Sequence, residues 1–117
     1  MNILVIEDEK IISNAITRVL TSSGHNVHTL NDGFNVISKI QEINPSMVFL
    51  DVKMPGRSGL DVLKEIKEFS KNIKVVMMSG YTSPENIETA VKLGANDFLK
   101  KPFDDIFELQ RIVERNL

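Results

Sequence analysis

The chain has 117 residues, of which 42% are hydrophobic and 26% are charged, and its formal net charge at pH 7 is −2. This size and composition are typical of one globular domain with one core, which we expect to span residues 1–117. The near-neutral charge gives no reason to expect nucleic-acid binding, no apolar run approaches the roughly 20 residues of a membrane span, and the absence of cysteine excludes disulfides and thiolate chemistry.

Five short apolar runs alternate with longer segments of helical periodicity, which is typical of successive βα units around a parallel sheet. These strand-like runs are Ile3 to Ile6, Val27 to Leu30, Met47 to Leu50, Ile73 to Met78 and Asp97 to Leu99. The second and fifth runs are the least hydrophobic, so we expect them at the edges of the sheet. Because no basic segment or cleavage pattern surrounds the first run, a cytoplasmic location is expected.

The first three predicted helices are recognised by apolar side chains that recur every three or four positions. Their stripes are Ile12, Ile16, Val19 and Leu20; Phe34, Ile37, Ile40 and Ile43; and Leu60, Leu63, Ile66 and Phe69. The first helix is expected to stop at Gly24 and the second before Asn44, whereas the third starts at Ser58 or Gly59.

Capping signals mark the last two predicted helices. Ser83 is expected to cap the fourth helix, with Pro84 at its first position. The fifth helix opens after Pro102, and Asp104 and Asp105 are expected in its first turn, where negative charge suits the helix dipole.

Charged and polar residues stand at the carboxyl ends of the predicted strands. Glu7 and Asp8 follow the first strand, Asp51 the third, Ser79 the fourth and Lys101 the fifth. In a parallel sheet these ends lie at one edge, where open α/β folds bind their ligands. We therefore expect three acids, a hydroxyl and a cation to converge.

Such an acid cluster needs a positive partner, because two carboxylates about 4 Å apart repel by roughly 4 kcal/mol at an effective dielectric near 20. Charges of −3 from the acids and +1 from Lys101 leave −2, which one divalent cation neutralises. Oxygen ligands favour Mg²⁺ over Zn²⁺. A carboxylate beside Mg²⁺ and an ammonium suits phosphoryl transfer to an aspartate, with Asp51 as nucleophile and Ser79 as hydrogen-bond donor to the phosphoryl group.

Four motifs in this order resemble the receiver domain of two-component response regulators over essentially the whole chain. They are residues 5–9 (VIEDE), residues 51–55 (DVKMP) with Gly59, residues 78–80 (MSG) and residues 94–103 (GANDFLKKPF). The resemblance implies the chemotaxis-type, flavodoxin-like α/β fold, a doubly wound five-stranded parallel sheet of order 2-1-3-4-5 with five helices.

The resemblance also implies a function and a metal site. In the family, the residue matching Asp51 is phosphorylated by a sensor histidine kinase or a histidine phosphotransfer protein. The residues matching Glu7 and Asp8 bind Mg²⁺ together with Asp51 and the backbone carbonyl of Lys53, and Mn²⁺ is expected to substitute. Glu7 stands where aspartate is commoner in the family, which is a permitted variant.

Further roles follow from the same resemblance. Lys101 is expected to contact the phosphoryl group, and Pro102 to follow a cis peptide bond. Ser79, where threonine is commoner, and Phe98 would form a switch that repacks the surface of helix four, strand five and helix five. Strand alternation places Lys100, the competing lysine, on the opposite face from Lys101.

Two positions flanking the motifs are expected to modulate loss of the phosphoryl group. Lys53 and Tyr81 lie two residues after Asp51 and Ser79, and a bulky pair there indicates a relatively long-lived phosphorylated state.

The resemblance leaves the output of the protein open. A stand-alone receiver and the N-terminal part of a longer regulator, including a transcriptional activator, both fit, with a downstream target or output domain as partner. Dimerisation through helices four and five is common in the family.

Other functions were weighed against the same residues. A degenerate receiver that acts only as an unphosphorylated interaction module usually lacks one of the acids or the lysine. An aspartate-nucleophile phosphatase usually has a second acid where this chain has Lys53. A flavin-binding domain of this architecture needs a phosphate-binding loop where residues 7–9 are acidic. We therefore expect a protein that acts on itself and does not turn over external substrates.

Overall fold

A computed structural model describes residues 1–80, 83–102 and 105–117. Its strands are β1 (Asn2–Ile6), β2 (Asn26–Leu30), β3 (Met47–Asp51), β4 (Lys74–Ser79) and β5 (Asp97–Lys100). They form one parallel sheet in the order β2-β1-β3-β4-β5. The predicted sheet and its strand order are confirmed, and every strand places its carboxyl end at the same edge.

In the described parts of the chain, five helices cover the two faces of the sheet. They are α1 (Lys10–Ser22), α2 (Val36–Ile43), α3 (Gly59–Phe69), α4 (Pro84–Lys92) and α5 (Ile106–Arg115). Alternate strand residues supply two separate cores, because successive side chains in a strand point to opposite faces. One core joins the sheet to α2, α3 and α4, and the other joins it to α1 and α5. The fold is therefore the predicted doubly wound α/β sandwich.

Burial along the strands agrees with their positions in the sheet. All five residues of the central β3 are buried, whereas β2 and β5 at the edges are only partly covered. Within the described parts of the chain, no helix is long and apolar enough to cross a membrane.

The predicted starts of α3 and α4 and the predicted cap at Ser83 are confirmed. The Ser83 side chain accepts a hydrogen bond from Asn86 N (3.2 Å), and Pro84 begins α4. Ser58 caps α3 by accepting from Leu60 N (3.2 Å). These side chains satisfy backbone N–H groups that have no partner inside a helix.

The start of α2 differs from the prediction. Phe34 was expected on the buried stripe of this helix, but it lies before the helix and is 49% exposed. The physical cause is local, because Asp32 Oδ1 accepts a hydrogen bond from Phe34 N (3.0 Å) and Asn35 adopts a left-handed conformation (φ 57°). Both features stop helical propagation before Val36.

Two further details of the helices were predicted wrongly. Phe69 is the last residue of α3 and is 46% exposed, while Val62 occupies the buried stripe instead. Asp105 is the N-cap of α5, where it accepts from Phe107 N (2.9 Å), and does not lie in the first turn. The predicted partner of Asp105, Asp104, lies outside the described residues.

An ion pair fastens the end of α5 to the sheet. Asp97 at the start of β5 accepts hydrogen bonds from Arg115 Nε (2.6 Å), Arg115 Nη2 (2.8 Å) and Asn116 Nδ2 (2.8 Å). The hydrogen bond from Arg115, partly opposed by burial, lowers the pKa of Asp97 from 3.8 to about 2.

This shift predicts an acid-sensitive contribution to stability. Because the pKa is lower in the folded protein, the contribution is complete above pH 3.8 and disappears as the pH falls towards 2. Asp97→Asn should reduce the free energy of unfolding by about 1 kcal/mol at pH 7, a discounted value because solvent screens the half-exposed Arg115. The difference from wild type in urea denaturation should shrink as the pH falls below 4.

Glu114→Gln provides the matched control, since Glu114 is an exposed carboxylate on the same helix. It should leave the free energy of unfolding within about 0.5 kcal/mol of wild type. A deficit in Asp97→Asn that stays constant between pH 7 and pH 3 would contradict the role assigned to this carboxylate.

Candidate functional site

The candidate site is centred on Asp51, the last residue of β3, which is 4% exposed. One carboxylate oxygen, Oδ1, accepts a hydrogen bond from Lys53 N (3.2 Å). The other, Oδ2, accepts from Lys101 Nζ (3.1 Å). The strand therefore delivers a nearly buried carboxylate whose two oxygens are held by two different segments of the chain.

Two further acids from the end of β1 lie beside Asp51. Glu7 is 1% exposed, and its Oε2 accepts from Glu9 N (3.3 Å). Asp8 is partly buried. One oxygen from each of Glu7, Asp8 and Asp51 lies within 4.8 Å of the others. The structure thus brings together the three acids that the sequence analysis placed at this edge.

Lys101 lies between two of these carboxylates. Its Nζ is 2.5 Å from Glu7 Oε1 and 3.1 Å from Asp51 Oδ2. Burial acts to lower the pKa of Lys101, but its contacts with Glu7 and Asp51 and their negative charges more than offset this, so the pKa is raised. Lys101 is therefore a firmly charged ammonium within the cluster.

A backbone hydrogen bond joins Lys101 to the end of β4. Lys101 N donates to Ser79 O (2.8 Å), and the Lys101–Pro102 peptide bond is cis. Lys100, by contrast, is exposed. The chain after β5 therefore turns the side chain of Lys101, and not that of Lys100, towards the acids.

The acid cluster fits a hard divalent cation. Glu7 Oε1 is fully buried and, although it forms an ion pair with Lys101, it makes no hydrogen bond of acceptable angle to any described residue. Three carboxylates and one ammonium also leave a formal charge of −2. A buried oxygen with unused lone pairs in an anionic cluster matches the oxygen-rich ligand sets that bind Mg²⁺.

Ser79 and Phe98 face a common cavity beside this cluster. Ser79 ends β4 and is half-buried, and Phe98 in β5 packs against the α2, α3 and α4 core. Together with Met77, Ile87 and other residues they line a cavity of about 310 Å³. Space therefore exists next to both side chains that were predicted to act as a switch.

A larger cleft opens at Asp51. Its volume is about 640 Å³, and Asp51, Ser79 and Lys101 line it together with Lys53. The apolar part of the lining consists of Ile11, Ile12, Ala15 and Pro102. Tyr81, the other residue predicted to modulate loss of the phosphoryl group, lies outside the described residues.

Two features of the site were not predicted from the sequence. Ile11, which is 85% exposed at the mouth of the cleft, was not singled out. Its position was a usable signal, because Ile11 lies outside the three-to-four-residue spacing of the stripe Ile12, Ile16, Val19 and Leu20. Arg57, which joins the loop after β3 to the loop after β2, was also missed, and a lone loop arginine carries no such signal.

Comparison with known proteins decides the family. The profile of the response regulator receiver domain matches residues 3–114. The chain belongs to this receiver domain family. The function of the chain is phosphorylation-driven signal transduction. The profile match confirms the family resemblance found in the motifs.

Individual relatives agree with this assignment. The chain is 36% identical to the chemotaxis protein CheY of Treponema pallidum over 113 residues, covering 94% of this chain and 78% of that protein. The crystal structure of the receiver domain of NtrX from Brucella abortus is 36% identical, with a TM-score of 0.91 over 98% of this chain and 97% of that one. The receiver fold thus extends over nearly all of this chain.

Some relatives are much longer than this chain. The regulatory protein AtoC of Escherichia coli is 31% identical over 115 residues, which are 98% of this chain but only 25% of that protein. Receiver domains of this family therefore occur both in proteins of similar length and as a quarter of larger regulators.

Close packing at Gly59 predicts a sensitive position behind the site. A Cβ at Gly59 would collide with the carbonyl oxygen of Asp51 and lie 2.8 Å from Val52 Cα. Since these neighbours are backbone atoms, Gly59→Ala must displace α3 from the segment that carries Asp51. We expect a loss of about 1–3 kcal/mol in the free energy of unfolding, measured by urea denaturation.

Gly80→Ala is the matched control for this substitution. The nearest atoms to a Cβ at Gly80 are the Cβ and carbonyl oxygen of Lys101, both at 4.0 Å. Its free energy of unfolding should stay within about 0.5 kcal/mol of wild type. Equal stabilities of the two variants would show that α3 is not constrained by the backbone of Asp51.

Proposed function

We propose that this receiver domain accepts a phosphoryl group on Asp51 from a phosphohistidine of a sensor histidine kinase or phosphotransfer protein, in a Mg²⁺-dependent reaction. The observation that carries the proposal is a nearly buried carboxylate at the floor of an open cleft, held 3.1 Å from Lys101 Nζ within a cluster of three acids. This combination of nucleophile, fixed cation and metal ligands is what phosphoryl transfer to an aspartate requires.

The chemical step is an in-line displacement at phosphorus. A carboxylate oxygen of Asp51 forms a bond to phosphorus while the bond from phosphorus to the donor imidazole nitrogen breaks, and the imidazole leaves with that electron pair. Lys101 holds a phosphoryl oxygen through its ammonium group. Glu7, Asp8, Asp51 and the carbonyl of Lys53 would hold Mg²⁺, or Mn²⁺ in its place, which supplies charge neutralisation for the phosphoryl oxygens.

The apolar wall of the cleft suits a protein donor. Ile11, Ile12 and Pro102 stand beside the reacting carboxylate. A donor protein that covers these side chains would bury apolar surface and exclude water while its phosphohistidine approaches Asp51.

Ser79 and Phe98 are proposed as the switch. The Ser79 hydroxyl would donate a hydrogen bond to the phosphoryl group, and the cavity of about 310 Å³ beside it would receive the ring of Phe98. This change would repack the surface of α4, β5 and α5. Exposed apolar side chains there, including Ile87, Val91 and Ile106, offer a binding surface for a downstream target, an output domain or a second copy of the chain.

The proposal also concerns the fate of the phosphoryl group. Lys53 is exposed at the edge of the cleft, where its side chain would shield the phosphorylated aspartate from water and prolong its lifetime. The domain would catalyse only its own phosphorylation and dephosphorylation, in the cytoplasm with its kinase. An interaction module that is never phosphorylated and an aspartate-nucleophile phosphatase are the alternatives that the following experiment separates.

Incubation with acetyl phosphate and Mg²⁺ should add one phosphoryl group to the wild-type chain, as measured by intact-protein mass spectrometry. Asp51→Asn should remain unmodified, because the amide oxygen is a far weaker nucleophile than the carboxylate. Asp61→Asn, which replaces an exposed aspartate on α3, is the control and should be modified like wild type. Modification that persists in Asp51→Asn would overturn the assignment.

The other outcomes identify the alternatives. A wild-type chain that stays unmodified under these conditions would indicate a pure interaction module. Continued hydrolysis of added phosphate esters, with many turnovers per chain, would indicate a phosphatase.

The metal site makes a separate prediction. Asp8→Ala removes one of the three carboxylates, so Mg²⁺ affinity measured by isothermal titration calorimetry should fall by about 10-fold or more. Phosphorylation by acetyl phosphate should slow in parallel. Glu9→Ala, which removes the exposed acid next to Asp8, is the control for charge. Unchanged Mg²⁺ binding in Asp8→Ala would count against this acid cluster as the metal site.

A further inference from the structure

The loop between β3 and α3, residues 52–58, carries the Lys53 carbonyl that is proposed to bind the metal. Both ends of this loop are fixed by backbone hydrogen bonds. Val52 N donates to Met78 O (2.9 Å), and Gly59 N donates to Val52 O (2.9 Å). The middle of the loop lies instead against the loop between β2 and α2, residues 31–35.

Arg57 makes the polar contacts between these two loops. Its Nη1 donates to the carbonyl oxygen of Gly33 (2.9 Å) and to Glu65 Oε1 on α3 (3.0 Å). The side chain of Arg57 is only 24% exposed, so these bonds are partly shielded from water. One guanidinium group therefore joins the β2–α2 loop, the β3–α3 loop and α3.

Apolar packing reinforces the same junction. A Cβ added at Gly33 would lie 2.8 Å from Val62 Cγ2, 3.3 Å from Arg57 Cβ and 3.4 Å from Met54 Cε, so the absence of a side chain there lets the loops touch. The ring of Phe34 lies over Gly56, whose φ of +82° suits glycine. This packing contributes to the position of Phe34 outside the buried stripe of α2.

We propose that Arg57 is a positioning residue for phosphorylation: by tying the β3–α3 loop to Gly33 and Glu65, it fixes the Lys53 carbonyl at the metal site and sets the affinity for Mg²⁺. The inference rests on the proposed function, because it needs the Lys53 carbonyl to be a metal ligand. Residues that orient metal ligands commonly change affinity by about 10-fold to 100-fold when they are replaced. Met54 lies next to Lys53 and packs at the same junction, so a displacement of residue 57 reaches the ligand through adjacent residues.

For Arg57→Ala, the loss of positive charge and the loss of the loop contacts predict opposite changes in Mg²⁺ affinity, so the measurement distinguishes the two effects. Removing a positive charge near an acidic site strengthens cation binding, whereas loss of the loop contacts weakens it. We expect isothermal titration of the full chain with MgCl₂ to give about 10-fold weaker binding for Arg57→Ala. Lys64→Ala removes an exposed positive charge from neighbouring α3 and should bind Mg²⁺ as wild type does or slightly more tightly.

Thermal denaturation separates positioning from a merely structural role. A lower midpoint for Arg57→Ala with wild-type Mg²⁺ affinity at a temperature where the variant is folded would overturn the proposal. If Arg57→Ala does not fold, Arg57→Lys decides, since it keeps the charge but its ammonium does not extend as far as Nη1, which donates to both acceptors. Arg57→Lys should bind Mg²⁺ several-fold more weakly, and wild-type affinity would overturn the proposal.

Failure of the proposed function gives a different result from failure of this inference. A wild-type chain that does not bind Mg²⁺ would overturn both. Wild-type binding that depends on Asp8 but not on Arg57 would overturn only the positioning role.

Discussion

The site depends on the ion pairs that the ammonium group of Lys101 makes. Burying carboxylates at the edge of a sheet is costly unless a cation compensates them, and Lys101 reaches both Glu7 and Asp51 from the end of β5. Removing one partner from such a buried pair typically costs about 3–5 kcal/mol, because the remaining charge is left unpaired. A lysine that follows β5, three positions away from β1 in the sheet, thus compensates two of the three acids.

Sheet topology explains why residues far apart in sequence form one site. The order β2-β1-β3-β4-β5 places β1 beside β3, so Glu7, Asp8 and Asp51 come from adjacent strands. β4 lies next to β3 and brings Ser79, and β5 follows with Lys101. Parallel strands cannot be joined by tight turns, so helices fill every crossover and leave the carboxyl edge to the loops.

The sequence predicted the strands and the acid cluster because both depend on strong local signals. Apolar runs of strand length mark buried strands. Acids placed directly after these runs mark the ends of the strands. The position of Phe34 could not be predicted, because an Asx turn at Asp32 and packing on Gly56 outweigh its helical spacing. The hydrogen bond from Arg57 to the Gly33 carbonyl could not be predicted from the sequence either. It joins residues 24 positions apart through a backbone acceptor that has no sequence signature.

The two oxygens of Asp51 connect the site to different parts of the fold. Oδ1 is held by the N–H of Lys53 in the β3–α3 loop, and Oδ2 is held by Lys101 after β5. A bond from either oxygen to phosphorus removes negative charge from that oxygen, so it weakens the hydrogen bond that the oxygen accepts. Chemistry at this single carboxylate therefore acts on the β3–α3 loop through Lys53 N or on the end of β5 through Lys101.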